Sequence, residues 1–495
     1  EPAQSMISKA QSIPSGDPAN TLKEKEKILL KAKPSAMLQY YKNEGKKTAA
    51  LVEKAFDELE PSEQKELSDL ARRMLIHGEE PADRKRVLEL SRKVDYPQLV
   101  GAASQFAAMV QVLTDAALAL KEQDRLRSGR VDDVEGSVVA HIDTPFGPAI
   151  IGGPGPNRYT APYALIIDLG GEDEYVGVQA SGSLRDERPL AAIIDLEGND
   201  RYVSDTDNTQ GSGVMGVGVL IDLEGNDVYK GRNLAQGSGI FGVGVLQDSK
   251  GHDRYEADTF CQGAGSFGIG FLNDRDGDDA YRAALLGQAF AFVRGMGVLE
   301  EEGGNDLYQA GFTYLHGSQS NDSYQSQSQG FAMGTGREGA SGGLSLLHDG
   351  AGNDRYSIDT YGQGAGYWFS GGFLVDDRGN DVYVSHMGSQ GAGLHMATGA
   401  LIDGGGRDSY LCHGGFGQGG GHERAVGVLV DRGGGDDYYT GGGITHGSGK
   451  ANGVGILVDD GGDDGYMSIK GTTEGWGEPS RGTISLGIFI DLFAL

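Results

Sequence analysis

The sequence predicts a mostly β fold: a Gly-rich parallel β-solenoid, or β-helix, of about 27 residues per turn behind an α-helical N-terminal domain. Three observations predict it. The pattern Asp-x-x-Gly-x-Asp-x-Tyr, seen at Asp222 to Tyr229, recurs from about residue 166 to 466. Its second aspartate falls at Asp173, Asp200, Asp227, Asp253, Asp279, Asp306, Asp354, Asp381, Asp408, Asp437 and Asp464, in steps of 26 to 29 residues broken by one step of 48. Each unit is too rich in Gly for a helical repeat, and it alternates β-prone runs with Gly/Asn/Asp corners. Composition also divides: residues 1–130 hold only 5 of the 84 glycines.

Residues 1–20, rich in Ser, Pro and Ala, read as a flexible arm. Residues 21–130 form an α-helical cap or interaction domain. Short helices are expected over 22–33, 36–43 and 48–59, a helix opens at Pro61, another at Pro81, and the longest runs from Gln98 to Arg127. A cap is the favoured role, because the end of a solenoid exposes unpaired strand edges. The solenoid follows over 138–495, with an insertion at about 318–342 that accounts for the long step.

Stacked turns convert a sequence period into columns. Tyr175, Tyr202, Tyr229, Tyr255, Tyr281, Tyr308, Tyr356, Tyr383, Tyr410, Tyr439 and Tyr466 form an inward aromatic ladder. Gln210, Gln236, Gln262, Gln288, Gln363, Gln390 and Gln418 form an amide ladder able to bond along the axis, with His316 and His446 in the same position. The Gly columns of Gly-Val-Gly-Val either let the walls approach or leave a flat outer face without side chains. The final strand, 483–495, is apolar and its edge invites a partner, including a second copy of the chain.

Charge restricts the partners. The chain carries 42 Lys+Arg and 71 Asp+Glu; residues 1–130 hold 22 and 20 of these, leaving the solenoid at net −31. Such a body repels nucleic acid and anionic membranes and attracts divalent cations or basic surfaces. No run of 18 apolar residues occurs, so no membrane span is expected. Cys261 and Cys412 sit more than five turns apart, too distant to bridge, and read as small core residues. The start at Glu1 without a Met suggests a processed chain, and an extracellular, cell-surface or periplasmic location is expected.

Two acidic columns run along the corner. Beside the eleven aspartates above stand Asp168, Asp195, Asp222, Asp248, Asp274, Asp349, Asp376, Asp403, Asp431 and Asp459, with Glu301 in the Asp306 turn. Carboxylates stacked at ~4.8 Å repel unless neutralised, and hard oxygen ligands at a Gly-rich corner suit Ca²⁺. The structural alternative is that each aspartate caps its own turn by accepting backbone N–H groups.

Asp349-Gly350-Ala351-Gly352-Asn353-Asp354-Arg355-Tyr356-Ser357 and Asp403-Gly404-Gly405-Gly406-Arg407-Asp408-Ser409-Tyr410-Leu411 resemble the nonapeptide of the RTX (repeats-in-toxin) family, G-G-x-G-x-D-x-U-x. The resemblance implies a secreted parallel β-roll that folds on Ca²⁺, with Asp354, Asp408 and their column equivalents as ligands. It departs in having Asp for the first Gly and one nonapeptide per turn where the family runs them in tandem.

His386, His395, His413, His422 and His446 fall within 61 residues, a possible second site for Zn²⁺ or acid–base chemistry; solvent-facing ladder histidines are the simpler reading. Catalytic motifs are missing, and acids are too many for one pair to stand out. The sequence therefore points to a secreted or surface structural or adhesive scaffold stabilised by Ca²⁺. The other class it allows is a carbohydrate-active or carbohydrate-binding β-helix protein that takes polysaccharide.

Overall fold

The computed structural model describes residues 33–492 apart from 77–80, 124–125, 127, 178, 317–322, 337–339, 434, 436, 472 and 481. The expected arm at 1–20 and helix at 22–33 lie almost wholly outside the described residues. The chain divides into two compact units: one runs to Gly231 and adds Phe241–Leu246, the other takes Arg232–Ile240 and Gln247 onward. Both are built as parallel β-solenoid, with about 11 turns in all.

The first unit begins with four helices: α1 Pro34–Lys54, α2 Pro61–Ile76, α3 Pro81–Ser91 and α4 Tyr96–Lys121. The two short helices expected over 36–59 are one continuous helix, α1. Gly45 does not break it, because its bare backbone seats the Phe146 ring: a Cβ there would lie 2.6 Å from Phe146 Cζ. Asp95 caps α4 by accepting from the Gln98 N–H (3.0 Å), and Pro97 sits in its first turn. By length and composition α4 is apolar enough to cross a membrane, although it holds no unbroken run of 18 apolar residues; 56% of its apolar window is buried. Its buried positions include Leu99, Phe106, Val110, Leu113 and Leu120, packed on α1 and on strands Leu190–Ile194 and Val217–Ile221. The Tyr41 hydroxyl donates to Ala164 O (2.7 Å), and Lys121 pairs with Glu197.

Each regular turn contributes three strands. In the first unit, Val217–Ile221 leads through the Gly-Asn-Asp corner to Val228–Lys230. In the second, a turn runs Gly371–Asp376, Val382–Met387 and the two-residue Gly393–Leu394. In the regular turns the strands pair in parallel with their equivalents in the adjacent turn, most in unshifted register, as Gly371–Asp376 does with Thr398–Asp403. The first strand buries Leu220 in one unit and Leu347, Leu374, Leu401, Leu429 and Leu457 in the other, all at 0% exposure. The Gly columns face inward: a Cβ on Gly427 would meet Gly420 O at 2.2 Å, so these glycines bring two walls together. No side-chain-free outer face results.

The outer face of that strand is apolar instead. In the second unit Phe373, Val375, Ile402, Val426, Val428, Val430, Val454, Ile456 and Val458 point outward and are half-buried. In the first unit the equivalent Leu190, Ala192, Ile194, Val217 and Val219 are almost fully buried beneath the helices. A strand apolar on both faces is the pattern of a sheet covered on both sides.

The long step resolves into two loops, not one insertion at 318–342. Gln329 follows Tyr308 by 21 residues, where Gln363 follows Tyr356 by 7, and both make the same bonds. The remaining extra residues lie between Gln329 and Leu347. Gln329, not His316, therefore takes the ladder position, and the residues expected at 318–322 are outside the described set. His446 does take that position, with the same left-handed backbone (φ 48°). The glutamines do not bond to each other. Gln390 Nε2 donates to Tyr383 O (3.2 Å) and to Leu411 O in the next turn (3.1 Å), because two carbonyls left by the corner need donors. Gln390→Ala is expected to lower the free energy of unfolding by about 2 kcal/mol, read from urea denaturation.

Candidate functional site

The strand bearing the tyrosine places its ring inside, where the rings stack at 4.6–5.2 Å from Tyr159 to Tyr229 in the first unit. In the second unit they stack from Tyr255 to Tyr466, at 4.7 to 4.9 Å and within 10° of parallel. Each hydroxyl meets an acid that ends the first strand. Tyr202 donates to Asp222 (2.6 Å), Tyr308 to Asp349 (2.8 Å) and Tyr281 to Glu301 (2.6 Å), all in the following turn. Tyr410 lies between Asp403 (2.9 Å) and Asp431 (2.8 Å). In several turns the other oxygen of this acid accepts a backbone N–H of its own corner, as Asp403 does from Gly405 (3.0 Å) and Asp376 from Arg378 (3.2 Å). The anticipated turn capping thus belongs to the first acid column.

The second column is tied differently. Each aspartate's backbone N–H donates to Oδ1 of the aspartate in the next turn: Asp173 to Asp200, Asp200 to Asp227, Asp354 to Asp381 and Asp381 to Asp408, at 2.6 to 2.7 Å. Glycine before it is obligatory, since a Cβ on Gly352 would lie 1.8 Å from Gly304 O and 2.5 Å from Asp354 Oδ1. Oδ2 is left over. In Asp279, Asp306, Asp354, Asp381 and Asp408 it is buried without a hydrogen-bond partner, and these residues are at most 2% exposed. Unpaired buried oxygens cost free energy unless something binds them.

Carboxylate oxygens of the two columns also come together. Asp173, Asp195 and Asp200 bring one carboxylate oxygen each within 4.8 Å of one another, as do Asp200, Asp222 and Asp227, and Asp253, Asp274 and Asp279. Burial first, then the charge of Asp195, pushes the Asp200 carboxyl up to about 10; burial and the charge of Asp168 push Asp173 to about 9. Asp354 and Asp408 reach about 9 for the same reasons, and Asp381 about 7 through burial. A site with this field holds either a proton or a cation between each pair of acids. The all-oxygen set, with its unpartnered Oδ2, fits a hard divalent ion.

Sequence reasoning located both acid columns and the tyrosine ladder but missed the hydroxyl-to-acid bonds joining them. It also missed an exposed amide ladder at the corner, where Asn380 and Asn353 both donate to the residue one turn back (Asn353 and Asn305 Oδ1, 2.7 and 2.9 Å). The Gly-Asn-Asp corner carried that signal.

The five histidines do not form one site. His446 is fully buried, edge-on to Tyr466, and burial lowers it to about 4, so it is a neutral core residue. His413 is exposed, and His386 lies half-buried beside Gly414, across a bulge in the strand pairing. His395 and His422 do come together, with Glu423 as a neighbour that sequence reasoning did not select. The structure thus supports a parallel β-solenoid with buried aspartate groups, and comparison with protein-family models, curated proteins and solved structures gave no match.

Proposed function

We propose that the chain is a cation-stabilised structural scaffold, whose solenoid binds Ca²⁺ between successive turns and works where calcium is abundant, outside the cytoplasm. One observation carries this reading: the buried triad of carboxylate oxygens, repeated turn after turn. Each triad supplies three of the six to eight oxygens that Ca²⁺ takes. Neutralising a buried acid column removes the repulsion that opposes stacking, so ion binding contributes directly to folding. Millimolar affinity suffices outside the cell, where modules of this kind bind at about 10⁻⁴–10⁻³ M. The apolar outer strand face of the second unit supports an adhesive role, since exposed apolar patches mark surfaces of association.

Calorimetric titration tests the reading. Because Asp200 belongs to two triads, Asp200→Asn is expected to reduce the number of Ca²⁺ ions bound by two. A protein that binds no Ca²⁺ at pH 8 would hold protons in its columns, and the scaffold would then be ion-independent.

A further inference from the structure

We propose that His395, His422 and Glu423 form a separate transition-metal site on the corner of the second unit, suited to Zn²⁺. The three residues bring two imidazole nitrogens and one carboxylate oxygen within 4.8 Å of one another. This donor set differs in kind from the all-oxygen columns. Two imidazoles and a carboxylate match a borderline ion such as Zn²⁺ or Co²⁺, whereas the aspartates match a hard one.

The backbone holds the ligands in place. His395 N–H donates to His422 O, and Met396 N–H to Glu423 O, both at 3.0 Å, so His395 and Glu423 stand directly above one another in adjacent turns. His395 Nδ1 is hydrogen-bonded to Glu423 Oε2. A metal ion would take the place of the shared proton, which leaves to solvent, while both atoms become ligands. Glu423 is a carboxylate only 9% exposed.

The walls are aromatic. Trp368 precedes His395 in the same column and stacks on its ring at 4.5 Å and 13°. Tyr367 meets His395 edge-on at 5.0 Å, and Phe416 meets His422 at 4.9 Å. Such walls fix the rings and lower the local dielectric, which strengthens ion–ligand attraction. Three protein ligands leave a fourth tetrahedral position for water or an anionic ligand.

Cobalt titration of the full chain in millimolar Ca²⁺, which occupies the aspartate columns, tests this. One equivalent of Co²⁺ is expected to produce a visible d–d band that Zn²⁺ abolishes. Glu423→Gln should weaken binding by at least about tenfold, and His395→Ala with His422→Gln should remove the band, while His413→Ala leaves it unchanged. Circular dichroism of each variant confirms that the solenoid is intact. A band absent from the wild type, or persisting in the double variant, overturns the site. Calcium uptake is measured separately, so failure here is distinct from failure of the calcium columns.

Discussion

Adding millimolar Ca²⁺ to EDTA-treated protein at pH 8 is expected to raise the thermal unfolding midpoint by more than about 10 °C. A ligand that binds only the folded state stabilises by about 2.7 kcal/mol per site at one hundred times its dissociation constant, and several triads act together. The pH dependence has a definite sign. Second-column carboxyls are raised in the folded state, from about 6 at Asp437 and 7 at Asp381 to about 10 at Asp200. A group raised on folding contributes stability that is complete below its unfolded value, near 4, and is lost as pH climbs through its folded value. Metal-free protein should therefore weaken progressively from about pH 4 until the pH passes the folded values, about 6 to 10. Calcium needs the ionised form, so its effect should be small at pH 5 and grow towards pH 8. Circular dichroism melts at several pH values, with and without ion, measure both. Equal midpoints at pH 8 would identify the aspartates as carboxyl pairs that share protons.

Tyr410→Ala should be among the most damaging single truncations in the second unit. The ring is 1% exposed and stacks on Tyr383 at 4.9 Å and Tyr439 at 4.7 Å. Deleting a buried aromatic costs about 3–5 kcal/mol through lost transfer and cavity terms. The hydroxyl's loss also strips a donor from Asp403 and Asp431, acids already held high by burial. Tyr410→Phe isolates that second part and should cost about 1–3 kcal/mol. Guanidinium unfolding separates the two. If Phe proves as harmful as Ala, the hydroxyl bonds and not the stack dominate the column.

What could be read from the sequence is what the period carries. A residue repeated at fixed spacing becomes a column in any stacked fold, so Tyr383 and Asp381 were placed before their partners were known. Their partners depend on the path of the corner. Which oxygen of Asp381 the preceding turn uses, and that Gln390 serves two carbonyls instead of Gln418, follow from backbone dihedrals with no periodic signature. By spacing His446 falls on the glutamine column and His422 does not. One replaces a glutamine inside the wall while the other stands on the outer corner, a difference set by register. Glu423 was missed because it was judged alone, without His395 one turn earlier.

The tie between second-column aspartates has a direction. The amide of Asp354 is met by Asp381, and that of Asp381 by Asp408; the Tyr308 hydroxyl likewise reaches forward to Asp349. These two groups of each turn are met by its successor, whereas the asparagine amides of the corner reach back to the turn before. At the C-terminal end of a partial stack the aspartate amide therefore waits for an acid of the next turn, and a chain made in N-to-C order delivers that acid with each added repeat.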